Sequence, residues 1–274
     1  MARSFIPKLE LSVDEQIALR DPAFVQQACE TAARTIVRYH RGELEGVERV
    51  PSGPALYVGN HNSSWWTPDT WVLSAALWRY GGLSLMPFGL GHDIVLQFPG
   101  LRTMFSRLGT VPAHPDNARR LFELGHKALV YPGGDLDSMR PFRKRNEITF
   151  GGRQGYIRLA LTSDVPIVPV VAQGAHGAML IIDDLQWLAK AVGADKRLRL
   201  KVLPLIFTVP FGLSIGMAPP FIPFPVKIRM SLLPPIRFDR HGPEAAADAA
   251  YVAACAAQVE TAMQTELTRL AALP

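Results

Sequence analysis

Three short apolar runs, each closed by small or polar turn residues, constrain this chain more than any other feature. They are Ala55-Leu-Tyr-Val-Gly59, Lys127-Ala-Leu-Val-Tyr131 and Val165-Pro-Ile-Val-Pro-Val-Val171. Runs of this length, rich in β-branched and aromatic residues and bounded by Gly and Pro, read as buried strands. Leu83–Pro87, Lys201–Phe207 and Val226–Leu232 read as further strands. Between them the apolar spacing becomes helical: Pro22 to Arg41, Pro68 to about Tyr80, Asp93 to Leu108 with a kink or split at Pro99-Gly100, Pro115 to Gly125, and Gly152 to Ser163. Strands alternating with helices predict an α/β fold with a mainly parallel central sheet flanked by helices. A helical segment over residues 1–50 precedes an α/β core at 51–240, and an Ala-rich helix over 241–274 follows it.

At 274 residues the chain is long enough to bury a substantial core. Cys29 and Cys255 have neither metal nor disulfide spacing, so a reducing compartment is the expectation. Residues Met1–Glu10 lack the apolar centre of a signal peptide. A net charge of +5 and a pI near 9.4 suit anionic partners such as acidic lipid surfaces or coenzyme phosphates. No nucleic-acid-binding motif accompanies that charge, and no nucleic-acid partner is expected.

Chemistry concentrates in Gly59-Asn60-His61-Asn62-Ser63-Ser64-Trp65-Trp66-Thr67-Pro68-Asp69. His61 falls just past the end of a strand, where open α/β sheets bind ligands. Asp69 falls in the first turn of a helix that Thr67 is placed to cap and Pro68 to open. The local dipole favours an ionised Asp69. If the loop curls back, Asp69 takes a proton from one imidazole nitrogen and the other becomes a base poised near neutral pH. The alternative is a loop histidine that caps backbone groups beside an ordinary N-terminal Asp. No nucleophile accompanies the pair, so the base would act on a substrate hydroxyl.

Three blocks in order resemble the glycerolipid acyltransferase family: Asn60-His61 followed by Asp69, Val130-Tyr131-Pro132-Gly133-Gly134, and Val165-Pro-Ile-Val-Pro-Val170. The likeness is closest to a bacterial branch with Tyr-Pro-Gly-Gly-Asp, Arg-Pro and Phe-Gly-Gly-Arg-x-Gly, matched by Tyr131–Asp135, Arg140-Pro141 and Phe150–Gly155. The resemblance implies His61 as base and Asp69 as its orienting partner. The acyl donor would be acyl-CoA or acyl-carrier protein, a co-substrate with no resident cofactor, and the acceptor a lysophospholipid or other glycerolipid hydroxyl. Asn60, Gly133, Gly134 and Asp135 would lie at the substrate, the glycines permitting close backbone approach. Arg140 and Arg153 would contact anions. Two departures stand out: seven residues separate His61 from Asp69 where the family has four, and Gly133 replaces the family's Glu.

Val202 to Val226 carries no charge, but six prolines interrupt it. It reads as a broken surface segment that dips into a membrane interface or walls an acyl groove, the alternative being a crossover packed on the core. A peripheral position on the cytoplasmic side follows from that reading. Trp65, Trp66 and Trp71 are candidates for the acyl site, the interface or the core. Gly212-Leu-Ser214-Ile-Gly216 matches a nucleophile elbow, so a serine esterase or lipase using Ser214 is a rival reading, and a catalytically inactive lipid-binding protein is another. His92-Asp93 and Asp183-Asp184 lack metal-ligand spacing, Asp135 and Asp137 read as turn residues, and no metal is expected.

Overall fold

The computed structural model describes residues 11–63, 66–91, 99–193, 201–216 and 220–274. Its strands are β1 (Glu43–Glu45), β2 (Ala55–Gly59), β3 (Phe88–Gly91), β4 (Thr110–Pro112), β5 (Lys127–Val130), β6 (Ile167–Gln173), β7 (Leu180–Asp183), β8 (Leu205–Thr208), β9 (Gly212–Ile215) and β10 (Arg229–Leu232). Its helices are α1 (Val13–Ala18), α2 (Pro22–Ala32), α3 (Pro68–Gly81), α4 (Pro99–Leu108), α5 (Pro115–Glu123), α6 (Gly134–Ser138), α7 (Gly155–Ser163), α8 (Gln186–Ala191), α9 (Gly242–Ala247) and α10 (Ala249–Ala271).

Seven strands form the main sheet in the order β1-β10-β6-β2-β5-β3-β4, parallel except where β10 meets β6. This is the mainly parallel α/β fold that the alternation of elements predicts. Strand β2 lies at its centre, with Tyr57 between Leu129 and Val168. All five of its residues are buried, which is why the run is continuously apolar rather than alternating. Leu56 and Val58 enter one core with α5, α7 and α10, while Ala55 and Tyr57 enter the other with α2 and α3. Helices thus cover both faces, and the C-terminal end of β2 is left for the loop that carries His61.

Both terminal segments join this body. Strand β1 pairs with β10, and α10 sends Val252, Val259, Met263 and Leu267 into the first core. The C-terminal helix is divided by Asp248, whose carboxylate accepts the Ala250 and Tyr251 N–H groups and so starts α10 afresh. The helix from Pro22 changes to a π-turn at Ala33–Val37.

Several expectations need correction. The strand placed at Leu83–Pro87 lies instead at Phe88–Gly91, because Leu83 and Leu85 pack beneath the second core as the tail of α3. Pairing to Ala128 on one side and Thr110 on the other holds the glycine-rich β3 extended despite its weak intrinsic preference. Thr67 precedes α3 but makes no side-chain cap; its φ of 29° aims it elsewhere. The helical residues expected at 93–98 lie outside the described residues, and α4 opens at Pro99. Asp135 and Asp137, read as turn residues, belong to the short helix α6.

Part of the charge-free stretch is regular sheet. Strands β8 and β9 make a hairpin that β7 extends into a second, antiparallel sheet. No helix among the described residues is long and apolar enough to cross a membrane.

Candidate active site

The ladder of β2 does not stop at Gly59. Asn60, fully buried, donates its side-chain N–H to the Ala172 carbonyl at 2.9 Å and accepts the Ala172 N–H at 2.8 Å. It continues strand pairing with a side chain, clamping the loop to β6. Asn60 is therefore a buried clamp and not a substrate contact. Next, the backbone of His61 is fixed at both ends. Its N–H donates to Asp137 Oδ2 at 2.5 Å, and its carbonyl accepts Arg140 Nη1 at 2.8 Å. Ser63 then turns left-handed, φ 52°, and its hydroxyl holds the Ala175 carbonyl.

The seven-residue spacing brings Asn62, not His61, to Asp69. Asn62 Nδ2 donates to Asp69 Oδ2 at 2.7 Å, and the other carboxylate oxygen accepts the Thr70 N–H at 3.0 Å. The imidazole Nδ1 of His61 is buried without a hydrogen-bond partner among the described residues. The direct His61–Asp69 contact expected from the motif is thus absent from this geometry, and the two residues are coupled through others. Asn62 Oδ1 accepts Arg140 Nη2 at 2.8 Å, and the same guanidinium holds the His61 carbonyl. From the other side the Tyr131 ring lies 4.8 Å from the imidazole, while its hydroxyl is 2.7 Å from Thr70 Oγ1. Gly59 is required here, since a Cβ would come within 2.6 Å of that ring.

Burial lowers the His61 imidazole to about 4, and the Arg140 charge pushes the same way against the Asn62 backbone. Burial raises Asp69 to about 6, opposed by its hydrogen bonds from Asn62 and Thr70. Asp69 stays largely ionised at neutral pH, but desolvation dominates its environment where the dipole was expected to. Asp137 is likewise raised to about 6 by burial, against the pull of Arg140. What results is a neutral imidazole with an unpartnered buried nitrogen, on a rigid backbone, at the mouth of a parallel sheet.

The family model described as Acyltransferase matches residues 41–173, from the start of β1 to the end of β6. This segment is similar to that family. An uncharacterized protein of Mycobacterium tuberculosis is 28% identical over 240 residues, covering 85% of this chain and 63% of the relative. The "DGAT1/2-independent enzyme synthesizing storage lipids" of Bos taurus is 24% identical over 202 residues, covering 73% of this chain and 54% of that protein. The chain thus spans less than two thirds of the length of these curated relatives. Among solved structures, the 1-acyl-sn-glycerophosphate (LPA) acyltransferase PlsC of Thermotoga maritima shares the fold, with a TM-score of 0.56 at 15% identity. That match covers 91% of this chain and 81% of that one.

Within this segment the second block has a structural job that the motif alone did not disclose. Arg140, expected to contact anions, is 2% exposed, and its donors go to Asp137, Asn62 and the carbonyls of His61, Lys144 and Arg145. No donor remains for a coenzyme phosphate. Gly133 does permit a close approach, but to the protein: a Cβ there would lie 2.2 Å from Asp137 Cβ and 2.5 Å from the Thr149 carbonyl. Gly134, φ 51°, faces the Arg153 guanidinium. Arg153 is committed to Asp135 at 2.7 Å and to the carbonyls of Gly133 and Pro132. Asp135 also accepts the Lys201 N–H. These residues surround the site and brace it.

Ser214 lies in the middle of β9, so the strand-to-helix elbow that a serine nucleophile requires is not formed. Trp66 meets Phe221 edge-on at 6.5 Å, and Trp65 lies outside the described residues. Three residues of the site have no site role in the sequence: Asn62, Asp137, which reads as a turn residue, and His176, whose Nε2 lies 2.7 Å from the Arg140 carbonyl. For Asp137 a signal existed: Asp and Arg three apart on a helical turn form a natural pair. For His176, in an irregular turn after β6, there was none.

Proposed function

We propose that this chain transfers a fatty acyl group from a thioester to a lipid hydroxyl, with His61 as the general base. The donor is acyl-CoA or acyl-carrier protein, and the acceptor is the hydroxyl of a lysophospholipid, a glycerolipid or a related lipid. The observation that carries this reading is the state of His61. It is held by its backbone at the C-terminal end of β2, uncharged above about pH 4, with one ring nitrogen buried and unpartnered. A neutral imidazole so placed accepts the proton of an approaching alcohol as its oxygen attacks the thioester carbonyl, and the thiol leaves without a covalent enzyme intermediate. Asp69 positions the base through Asn62 and Arg140 rather than by touching the ring. The protein would act peripherally at the cytoplasmic side of a membrane, where its acceptor resides.

Two further points support the acceptor class. The family's Glu is Gly133, wedged against Asp137 and Thr149, and Arg140 and Arg153 are committed to the protein. That arrangement suits an acceptor without a phosphate at this position, in keeping with relatives named for storage-lipid synthesis. The test is incubation of the purified chain with labelled acyl-CoA or acyl-carrier protein and a panel of lysophospholipids, mono- and diacylglycerols and glycolipids. Transfer to at least one acceptor is expected, reduced about 10²- to 10⁴-fold by His61→Ala and little changed by Ser214→Ala. Undiminished transfer by His61→Ala would sink the reading.

A further inference from the structure

The second sheet has two unlike faces. Ile181 and Ile206 are buried on one side, with Met139, Met179 and Phe221 packed against them. The other side sets Phe207 opposite Leu213 and Leu205 opposite Ile215. Leu213 and Ile215 are 64% and 58% exposed, and Phe207 is 36% exposed. Beside them Val209 and Ile222, joined by a bridge, are also open. This face is apolar but for Asp183, which lies opposite Leu205 at the irregular end of β7, and among the described residues its outermost strand, β9, pairs with β8 alone. In water an open apolar edge strand invites aggregation. In the headgroup region of a bilayer its side chains find hydrocarbon and its unpaired backbone groups find polar partners.

The charges around the face are mostly cationic, the exceptions being Asp183 and Asp184 at the end of β7 and Glu43 beside Lys227. Residues 202–226 carry none, and Lys201 and Lys227 bracket them. The turn Arg143-Lys144-Arg145 is exposed and packs beside β7, Arg143 reaching the Ile182 carbonyl and Asp183. Arg41 donates to the Pro225 carbonyl where the chain leaves the sheet. An apolar surface rimmed mostly by cations complements an anionic lipid surface. Two copies of this chain meeting through the same face would bring the cationic excess of the two rims together, which argues against self-association.

We infer that the outer face of β7-β8-β9 is a dock for a bilayer containing anionic lipid. The inference rests on the lipid-acceptor reading for its purpose, though not for its geometry. The buried side of the sheet lies on the site's own loops: Phe221 against Trp66, and Arg140 holding the Lys144 and Arg145 carbonyls. Docking through this face sets the His61 loop close to the lipid surface, so an acceptor need not cross open water.

Flotation of the full chain with vesicles tests this. Wild type is expected to float with phosphatidylcholine–phosphatidylglycerol vesicles and less with phosphatidylcholine alone. Leu213→Glu with Ile215→Glu should lower binding to the mixed vesicles at least about tenfold, with an unchanged melting temperature. Arg143→Glu with Lys144→Glu should remove the preference for anionic lipid. Cys29 and Cys255 are buried, so a polarity-sensitive dye on Leu213→Cys reports directly and should shift to the blue on mixed vesicles. Wild type that floats with neither vesicle, a glutamate variant that binds as wild type does, or a concentration-dependent dimer that Leu213→Glu dissolves would each overturn the dock. The catalytic reading is separated by His61→Ala, which should bind vesicles normally. If no acceptor is acylated while binding still depends on Leu213, the dock stands and the activity falls.

Discussion

Two aspartate–arginine pairs come from the same stretch of chain and have opposite meanings. Asp137–Arg140 closes at 2.9 Å with both side chains at 2% exposure or less; Asp135–Arg153 closes at 2.7 Å with 15% and 35% exposure. The shorter contact belongs to the weaker interaction. Water solvates the outer pair whether or not its partners meet, whereas the inner pair has left water and depends on its partners for all its polar contacts. The inner pair holds the two backbone groups of His61, and the outer one holds the rim of the same turn. Burial, not distance, separates the hub from the brace.

The largest effect expected from this contrast is that of Arg140→Met. Removing the guanidinium leaves Asp137 buried without its counter-charge and frees the carbonyls of His61, Lys144 and Arg145. A loss of about 3–5 kcal/mol in urea unfolding is expected, along with a His61 loop that no longer holds its position. A loss below about 1 kcal/mol, the range of exposed pairs, would erase the distinction. Gly133→Ala and Gly134→Ala repeat the contrast on adjacent residues. The first forces a methyl into Asp137 Cβ and the Thr149 carbonyl, at about 1–3 kcal/mol for overpacking. The second meets only the movable end of Arg153, and its main cost is the left-handed backbone, about 1 kcal/mol. Thermal unfolding ranks the two, and the reverse order would contradict the hub.

Legibility in the sequence followed the same division. The central strands could be read because a buried parallel strand is written as an unbroken apolar run, as at Ala55–Gly59. Strand β3 could not, because its glycines take their conformation from neighbours remote in sequence. The small sheet was hidden by prolines that are tolerated in its connections. In the site, the motif located His61 and Asp69 but not the path between them. That path runs through Asn62 and Arg140, whose roles depend on which side chains burial leaves without water. Arginine in a motif reads as an anion contact, and only the fold shows that its donors are already committed.

A smaller effect distinguishes the hub by its response to acid. An unfolded His61 takes a proton near 6.5, whereas the folded one refuses it until about 4. Through this group the fold weakens as pH falls across that window. Asp69 and Asp137 run the other way, since their folded carboxyls accept protons near 6 and unfolded ones near 3.8, so acid favours the fold through them. In His61→Ala the unfavourable member is gone. Relative to wild type, the variant should therefore gain stability between pH 7 and pH 5, as read by urea midpoints at both. An equal difference at the two values would show that the imidazole is not desolvated.

Arg153→Leu closes the scale and tests the outer pair on its own terms. Its carboxylate partner, Asp135, keeps the Lys201 N–H and 15% of its surface in water, so the charge is neither fully buried nor without a donor. The Gly133 and Pro132 carbonyls lose a donor at a partly exposed position, where water can replace it. The expected loss is about 0.2–1 kcal/mol, shrinking further in high salt because the pair lies within reach of screening ions. For a donor with phosphates the KM should change little, since the guanidinium is already spent on Asp135 and two carbonyls. A tenfold rise in that KM with stability unchanged would mean that Arg153 releases Asp135 to take an anion, and the brace would then be a binding group after all. A stability loss as large as that of Arg140→Met would break the comparison from the other side, by showing that solvent exposure does not decide what an ion pair contributes here.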